Sequence, residues 1–349
     1  MSLANIPLLS KTRFIGGLQC LKRLYLESHH RELIPPVDPA QQALFDSGNE
    51  VGQLARQIFS GGVLIEEDNL QHGKAVLNTK LQLDDPSVEA IYEAAFTFDD
   101  IRTRVDILKR IDENSFVLGE VKSSTSVKAE HIPDAAIQVY VVEGSGLEIK
   151  TVYLIHINNK YEYEGGDYDL SELFTLEDIT PQVRDYLYTM LESNLGVMRE
   201  ALSRTDPPDI DTGKHCTRPY RCPFFSYCRQ DFPVHSIEEL PGARAELLDD
   251  LKSHGIRDIS KIFSGFPKLT SMQSRVRESV ISGNPYVNPK ISEIVSDMEY
   301  PFMHMDFETF MPALPHYPGT HPYQVIAFQW SIHIQREDGV IEHKEFLFD

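Results

Sequence analysis

The sequence has 349 residues, with 53 acidic against 33 basic side chains and a formal net charge of −20. That length can bury sizeable cores and hold two or more domains, while the charge excludes a protein that coats nucleic acid through a generally basic surface. No run of about 18 apolar residues occurs and no charged-then-apolar leader opens the chain, so a soluble, cytoplasmic protein with no membrane partner is expected.

From Lys11 to Phe59 the pattern is mainly helical. Leu18, Leu21, Leu24 and Tyr25 recur at helical spacing around Cys20, Pro35-Pro36 interrupts, and Gln41 to Phe59 carries a second stripe ended by Gly61-Gly62. Residues 90–122 and 150–158 read as strands. Between them a short helix is expected over His131 to Glu143, stopped by Gly144. Thr180 to Ser203 has the length and apolar spacing of one long helix. Ser236 to Ile281 is polar and helical, with Leu240, Leu247, Leu248, Leu251, Ile256, Ile259 and Ile262 at helical intervals. From Tyr300 the chain turns strand-rich, with Asp338-Gly339 as a hairpin turn. It stops directly after an apolar run, as a domain cut short would.

The densest chemical signal is Thr103-Arg104-Val105-Asp106-Ile107-Leu108 followed by Phe116-Val117-Leu118-Gly119-Glu120-Val121-Lys122-Ser123-Ser124. Residues two apart in a strand share a face, so Glu120 and Lys122 point the same way. The intervening Asp112-Glu113-Asn114-Ser115 is turn-forming. A turn centred on Glu113 sets Asp106 across from Glu120 in the neighbouring antiparallel strand, with Val105, Ile107, Val117 and Val121 as packing on the other face. Opposed Cβ atoms lie about 5 Å apart, close enough for two carboxylates to share one cation. Phosphodiester hydrolysis needs such a set: oxygen ligands for Mg²⁺ or Mn²⁺, and an ammonium that orients water or balances transition-state charge. A solvated Glu-x-Lys pair is the plain alternative.

The four cysteines form a second signal. Cys216, Cys222 and Cys228 are evenly spaced in a segment rich in Pro, Arg and aromatic residues, and Cys20 lies far upstream. Four thiolates suit Zn²⁺ or an iron–sulfur cluster. Buried thiols and disulfides are the competing readings.

Asp106 with Gly119-Glu120-Val121-Lys122 resembles the D…(D/E)XK core of the PD-(D/E)XK nuclease superfamily. One early and three late cysteines resemble its RecB-like branch, which includes the CRISPR-associated iron–sulfur exonucleases. The likeness covers roughly residues 8–232. It implies an α/β, restriction-endonuclease-like mixed sheet flanked by helices. It also implies metal ligation by Asp106, Glu120 and the Val121 carbonyl, and Lys122 as the catalytic lysine. Gln138, in Asp134-Ala-Ala-Ile-Gln138-Val-Tyr140, matches the glutamine of the helix after the lysine strand. Cys20, Cys216, Cys222 and Cys228 would hold a 4Fe-4S cluster that clamps the domain. The chain departs from the family in three places. Val142 stands where a tyrosine is usual, with Tyr140 arriving early. Gly52 stands where an early-helix histidine ligand would be, with Glu50 on the same helix. Five residues separate Cys216 from Cys222 where two are usual, which keeps Zn²⁺ open beside iron–sulfur.

Near the end, Tyr300-Pro-Phe-Met-His-Met-Asp306-Phe-Glu308-Thr309 places two acids on one strand face. It resembles the first motif of ribonuclease H-like, DnaQ-type exonucleases, and Pro322 to Ser331 resembles their second strand. Asp306 and Glu308 would then be a partial second site. The expected organisation is a nuclease domain over 1–232, a helical connector over 233–295 and a partial ribonuclease H-like domain over 296–349. The resulting reading is a metal-dependent DNA nuclease acting on single-stranded DNA or DNA ends. Arg102, Arg104, Lys109, Arg110 and Lys128 are candidate phosphate contacts. Two rivals stand beside it: a cluster-bearing nucleic-acid-binding or regulatory module with a decayed centre, and an RNA exonuclease centred on Asp306 and Glu308.

Overall fold

In the computed structural model, which describes residues 8–348, a two-residue strand β1 (Leu9–Ser10) feeds helices α1 (Lys11–Gln19) and α2 (Leu21–His29). The extended backbone of Cys20 separates the two helices. Helix α3 (Pro39–Arg56) starts where the Asp38 carboxylate accepts from the Gln41 N–H and proline takes the first position. Strand β2 (Gly62–Leu64) and helix α4 (His72–Leu83) follow. Then come β3 (Ala90–Phe98), β4 (Ile101–Arg110) and β5 (Ser115–Lys122), an antiparallel meander. Helix α5 (His131–Gly144) crosses over to β6 (Glu148–Ile157), which runs parallel to β5. A short α6 (Leu170–Leu173), strand β7 (Phe174–Asp178) and α7 (Thr180–Tyr186) lead through a wide π-turn at Leu187–Leu191 into α8 (Glu192–Ser203). The path β2-β3-β4-β5-β6-β7 is one mixed sheet, and β1 pairs with β4. The protein is α/β.

Two cores flank this sheet. Phe14, Leu24, Phe116, Leu118, Ile137 and Leu195 belong to one; Val51, Ala55, Ile107, Ile155 and Leu173 belong to the other. Helix α5 is apolar almost all round because it is almost wholly buried. Each fully buried Ile or Val there contributes roughly 1.5–3 kcal/mol relative to exposure. The close approach of α1 to α8 depends on Gly17, where a Cβ would stand 2.9 Å from the Met198 side chain. Gly119 serves β5 in the same way, its missing side chain leaving room for Ile107 and Ile155.

The chain divides into two units. One holds everything up to Phe225 together with Glu308–Phe328, and the other holds Ser226–Phe307 and the chain from Gln329 on. Beyond α9 (Phe225–Cys228), helices α10 (Ala245–Ser253) and α11 (Ser271–Ser282) accompany a small core of Ile237, Leu240, Leu247, Leu251, Ile256, Ile259 and Ile262. After α12 (Ile291–Ser296), strands β8 (Phe302–Phe310), β9 (Ile326–Gln335) and β10 (Ile341–Leu347) form a three-stranded sheet in the order β10-β9-β8. Gly339 takes the left-handed conformation, φ 83°, that the β9–β10 turn requires. Among the described residues no helix is long and apolar enough to cross a membrane.

The expected single helix over Thr180 to Ser203 is thus two helices joined by a π-turn. Helix α4 and strand β7 were not foreseen. The buried face of α4 is made by His72, Ala75 and Thr79, small and polar residues, with Val76 and Leu83 only partly buried beside them.

Candidate active site

The site lies where one edge of β4 is divided. Strand β3 occupies the other edge from Ile101 to Lys109. On the free edge β5 pairs only with Ile107–Arg110, ending at Ile107↔Gly119, while β1 takes Ile101 and Arg102. The next step of the β4–β5 register is Asp106 opposite Glu120, and there the ladder gives way. The Val121 N–H donates instead to Asp106 Oδ2 at 2.8 Å. Two acids therefore meet at a split between strands, and β1 delivers the start of α1 to the same split.

Glu120 is fully buried and wholly engaged. Its Oε1 accepts from Lys122 Nζ at 2.6 Å and from Lys11 Nζ at 2.9 Å, and its Oε2 accepts from Gln138 Nε2 at 2.6 Å. Lys122 Nζ also donates to Asp134 Oδ2 at 2.5 Å, and Lys11 Nζ stands 3.7 Å from Asp134 Oδ1. His131, Asp134 and Gln138 follow one another at spacings of three and four on α5, one helix face. All three are buried in a helix otherwise lined by apolar residues.

Burial and charge set the protonation. Burial disfavours the Glu120 carboxylate, but Lys11, Lys122 and the Gln138 amide outweigh it and hold its pKa far below the usual carboxylate range. Asp106 goes the other way, pushed up to about 7 by burial first and then by the Glu120 charge. Burial and the Glu120 charge likewise raise Asp134, against the pull of Lys11 and Lys122. Both lysines stay charged: burial opposes them, yet Glu120 and Asp134 hold Lys122 and Lys11 above the ordinary lysine value. His131 is pushed down to about 4 by burial and by Lys122, so it is neutral at physiological pH.

Asp106, Glu120, Lys122 and Gln138, all expected from sequence, therefore converge. Lys11, Asp134 and Glu93 were missed. A lysine opening a helix works against the helix dipole, and that misfit was a readable signal for Lys11. Glu93 is the one acid in the apolar strand β3. It lies between the pairs Tyr92↔Ile107 and Ala94↔Val105, opposite Asp106, at φ 56°. Tyr92 and Ile107 pack in one core, and Ala94 and Val105 in the other. Both strands thus change face at Glu93 and Asp106, a local strain confined to the site. The Glu93 charge adds to the rise at Asp106, and Arg56 of α3 holds Glu93 at 2.8 Å.

Other expectations separate. Arg104 and Arg110 donate to backbone carbonyls, of Ile65, Glu67 and Glu93 for the first and of Leu83, Val88 and Glu113 for the second. They brace loops rather than reach for phosphate. Lys109 lies over the Phe59 ring, Arg102 Nε is buried without a hydrogen-bond partner among the described residues, and Lys128 is exposed. Glu50 is exposed on α3. Tyr140 donates to Asp99 Oδ2 at 2.8 Å, outside the set around Glu120. Asp306 and Glu308 lie on β8, both exposed, and Asp306 Oδ1 accepts from the Phe307 N–H at 2.9 Å.

The cysteine loop touches the same unit. Gln19, next to Cys20, donates to the carbonyls of His215 at 2.5 Å and Tyr220 at 2.7 Å. Burial pushes the Cys222 thiol up to about 11, and the Cys20 and Cys216 thiols act on it too. The Gly213 N–H donates to Cys216 Sγ at 3.4 Å. Three sulfurs thus share one neighbourhood, while Cys228 ends α9 in the second unit. Tyr220 lies within electrostatic reach of Lys122 and Asp134, which connects this loop to the acids.

Among the described residues no three His, Cys, Asp or Glu side chains stand ready to hold a metal ion. The donor types nevertheless suit the expected groups. At the acids, oxygen ligands of a hard cation are present, the raised Asp106 carboxyl needs a proton or a cation, and Asp134 Oδ1 is buried without a hydrogen-bond partner among the described residues. At Cys20, Cys216 and Cys222 the donors are soft thiols.

Residues 303–349 match the profile of a domain of unknown function, DUF2779. No curated protein matches the chain. A solved structure titled "Crystal structure of SSO0001" aligns with 64% of this chain and 87% of its own, at 16% identity and a TM-score of 0.28.

Proposed function

We propose that the first unit is a metal-dependent nuclease of RecB-like, PD-(D/E)XK type, acting on single-stranded DNA or DNA ends in the cytoplasm. The observation that carries this reading is the convergence of Asp106, Glu120, Lys122 and Gln138 at the split between β4 and β5. A divalent cation, Mg²⁺ or Mn²⁺, held by the Asp106 and Glu120 carboxylates and the Val121 carbonyl, would polarise a phosphate oxygen and acidify water. The protein's own groups do the rest. Gln138 fixes Glu120 through Oε2 and so leaves Oε1 turned to the reacting side. Lys122, anchored between Glu120 and Asp134, keeps its charge and offers a donor to the attacking water or to charge developing on the phosphoryl oxygens. His131 is neutral and buried behind them, adding no further positive charge.

The cysteines, in this reading, are the ligands of a 4Fe-4S cluster that ties the α1–α2 junction to the loop carrying Cys216 and Cys222, with Zn²⁺ as the other candidate. In Mn²⁺, anaerobically purified protein cleaves single-stranded DNA, and Lys122→Ala slows cleavage by about 10²–10³. Wild type that cuts neither single-stranded DNA nor RNA favours a binding module instead. Iron and acid-labile sulfide near four per chain, lost in Cys20→Ser, support the cluster; stoichiometric zinc replaces it.

A further inference from the structure

Lys11 touches Glu120 yet has no chemical role in the reading above, and its placement is unusual. It is the first residue of α1, where unpaired N–H groups disfavour a positive charge. Even so it points inward, onto a carboxylate oxygen that Lys122 already holds. The two ammonium groups are not equally bound. Lys122 sits at 2.6 Å from Glu120 Oε1 and 2.5 Å from Asp134 Oδ2, whereas Lys11 has one close partner at 2.9 Å and a second only at 3.7 Å. An oxygen with two ammonium groups on it cannot also ligate a dication, so one must leave. Lys11 is held by less.

Charge points the same way. Asp106, Glu120 and Asp134 face Lys11 and Lys122, three acids against two ammonium groups. With a dication bound and Asp106 ionised, the same five groups carry one net positive charge, which matches a single phosphodiester. The Lys11 backbone stays where it is, because β1 is paired to β4 and Ser10 caps α1 by accepting from the Arg13 N–H. Its flexible four-carbon stem lets the ammonium move without the helix.

We infer that Lys11 occupies the cation's place at Glu120 Oε1 until a divalent ion is bound, and then contacts the scissile phosphodiester. It thereby couples metal loading to binding of a polyanionic substrate. This rests on the nuclease reading, and the test separates the two. Mn²⁺ affinity is measured without substrate by electron paramagnetic resonance, and cleavage of single-stranded DNA is measured in parallel. Wild type, Lys11→Met, Lys11→Gln and Glu120→Gln are compared, each checked by thermal melting. Removal of Lys11 is expected to tighten Mn²⁺ by roughly tenfold or more, the effect one like charge has on a neighbouring ionic equilibrium. In the same variants cleavage at saturating Mn²⁺ falls by about 10²-fold. Unchanged or weaker Mn²⁺ binding in both Lys11 variants, or unchanged cleavage, overturns the role of Lys11 alone. A wild type whose Mn²⁺ binding is absent, or insensitive to Glu120→Gln, overturns the nuclease reading and this inference together.

Discussion

The protein presents two pairs of acids on strands, and they live in opposite surroundings. Asp106 and Glu120 meet at a split in the seven-stranded sheet, where Glu120 is fully buried and carries two ammonium groups and an amide. Asp306 and Glu308 lie exposed on β8, with the Phe307 N–H on Asp306. In sequence the second pair looks as good as the first, since both interrupt apolar runs. The difference is what surrounds each carboxylate. Burial without water makes charge expensive unless cations or protons answer it, so the first pair has Lys11 and Lys122 beside it and an Asp106 carboxyl that titrates near neutrality. The second pair has solvent. A strand motif of two acids marks a reactive centre only when the fold also withdraws water from it.

The sharpest way to break this contrast is to move the mutations. Asp106→Ala is expected to lower single-strand cleavage in Mn²⁺ by about 10²–10³, while the double variant Asp306→Ala, Glu308→Ala stays within about twofold, as exposed substitutions generally do. Initial rates on labelled DNA and RNA decide it. The reverse pattern, with RNA cutting lost only in the double variant, would transfer the chemistry to β8.

A second test uses pH on the chelator-treated protein. Asp106 rises from 3.8 to about 7. Between about pH 4 and 7 the folded protein holds a proton that the unfolded chain has released, so this group's contribution is lost as pH rises through 7. His131 falls from 6.5 to about 4 and acts in the other direction, adding stability as pH climbs from 4 to 6.5. The two nearly cancel up to pH 6.5. Above it wild-type stability falls until Asp106 is fully ionised a little above pH 7, by less than about 1 kcal/mol in all for one proton, and then levels off. Denaturant midpoints from pH 5 to 8 should show that fall in wild type and none in Asp106→Asn, and saturating Mn²⁺ should remove it in wild type. A fall that survives Asp106→Asn would assign the titration elsewhere.

Much of this centre was legible in the sequence because it depends on local rules. The short Asp112–Ser115 turn fixes the register, strand alternation puts Glu120 and Lys122 together, and Gln138 sits on a helix whose ends the sequence marks within one residue. The oddity of a lysine opening α1 is readable, but the destination of Lys11 and the part of Glu93 are out of reach for a different reason. Lys11 arrives through a two-residue strand paired to β4 across about 90 residues of chain, and no local pattern encodes that pairing. Glu93 matters through a change of face that periodicity assumes does not happen. The arginines failed for a third reason: composition gives their charge but not the buried carbonyls that use it.

The smallest effect is also the cleanest check on helix geometry. Gln138 and Tyr140 are two residues apart on α5, about 200° around an α-helix. With Gln138 turned to Glu120, Tyr140 has to face away, and its hydroxyl meets Asp99, which Arg199 holds at 2.5 Å. The position four residues after Gln138 is back on the site's side, and there Val142 is buried in the core. Tyr140→Phe removes one partly exposed hydrogen bond and leaves Arg199 on Asp99. It is expected to reduce stability by about 1 kcal/mol or less and to leave the cleavage rate unchanged. A tenfold loss of cleavage with an unaltered melting temperature would put the phenol at the reacting atoms, which requires α5 to be rotated by nearly half a turn and Gln138 to leave Glu120.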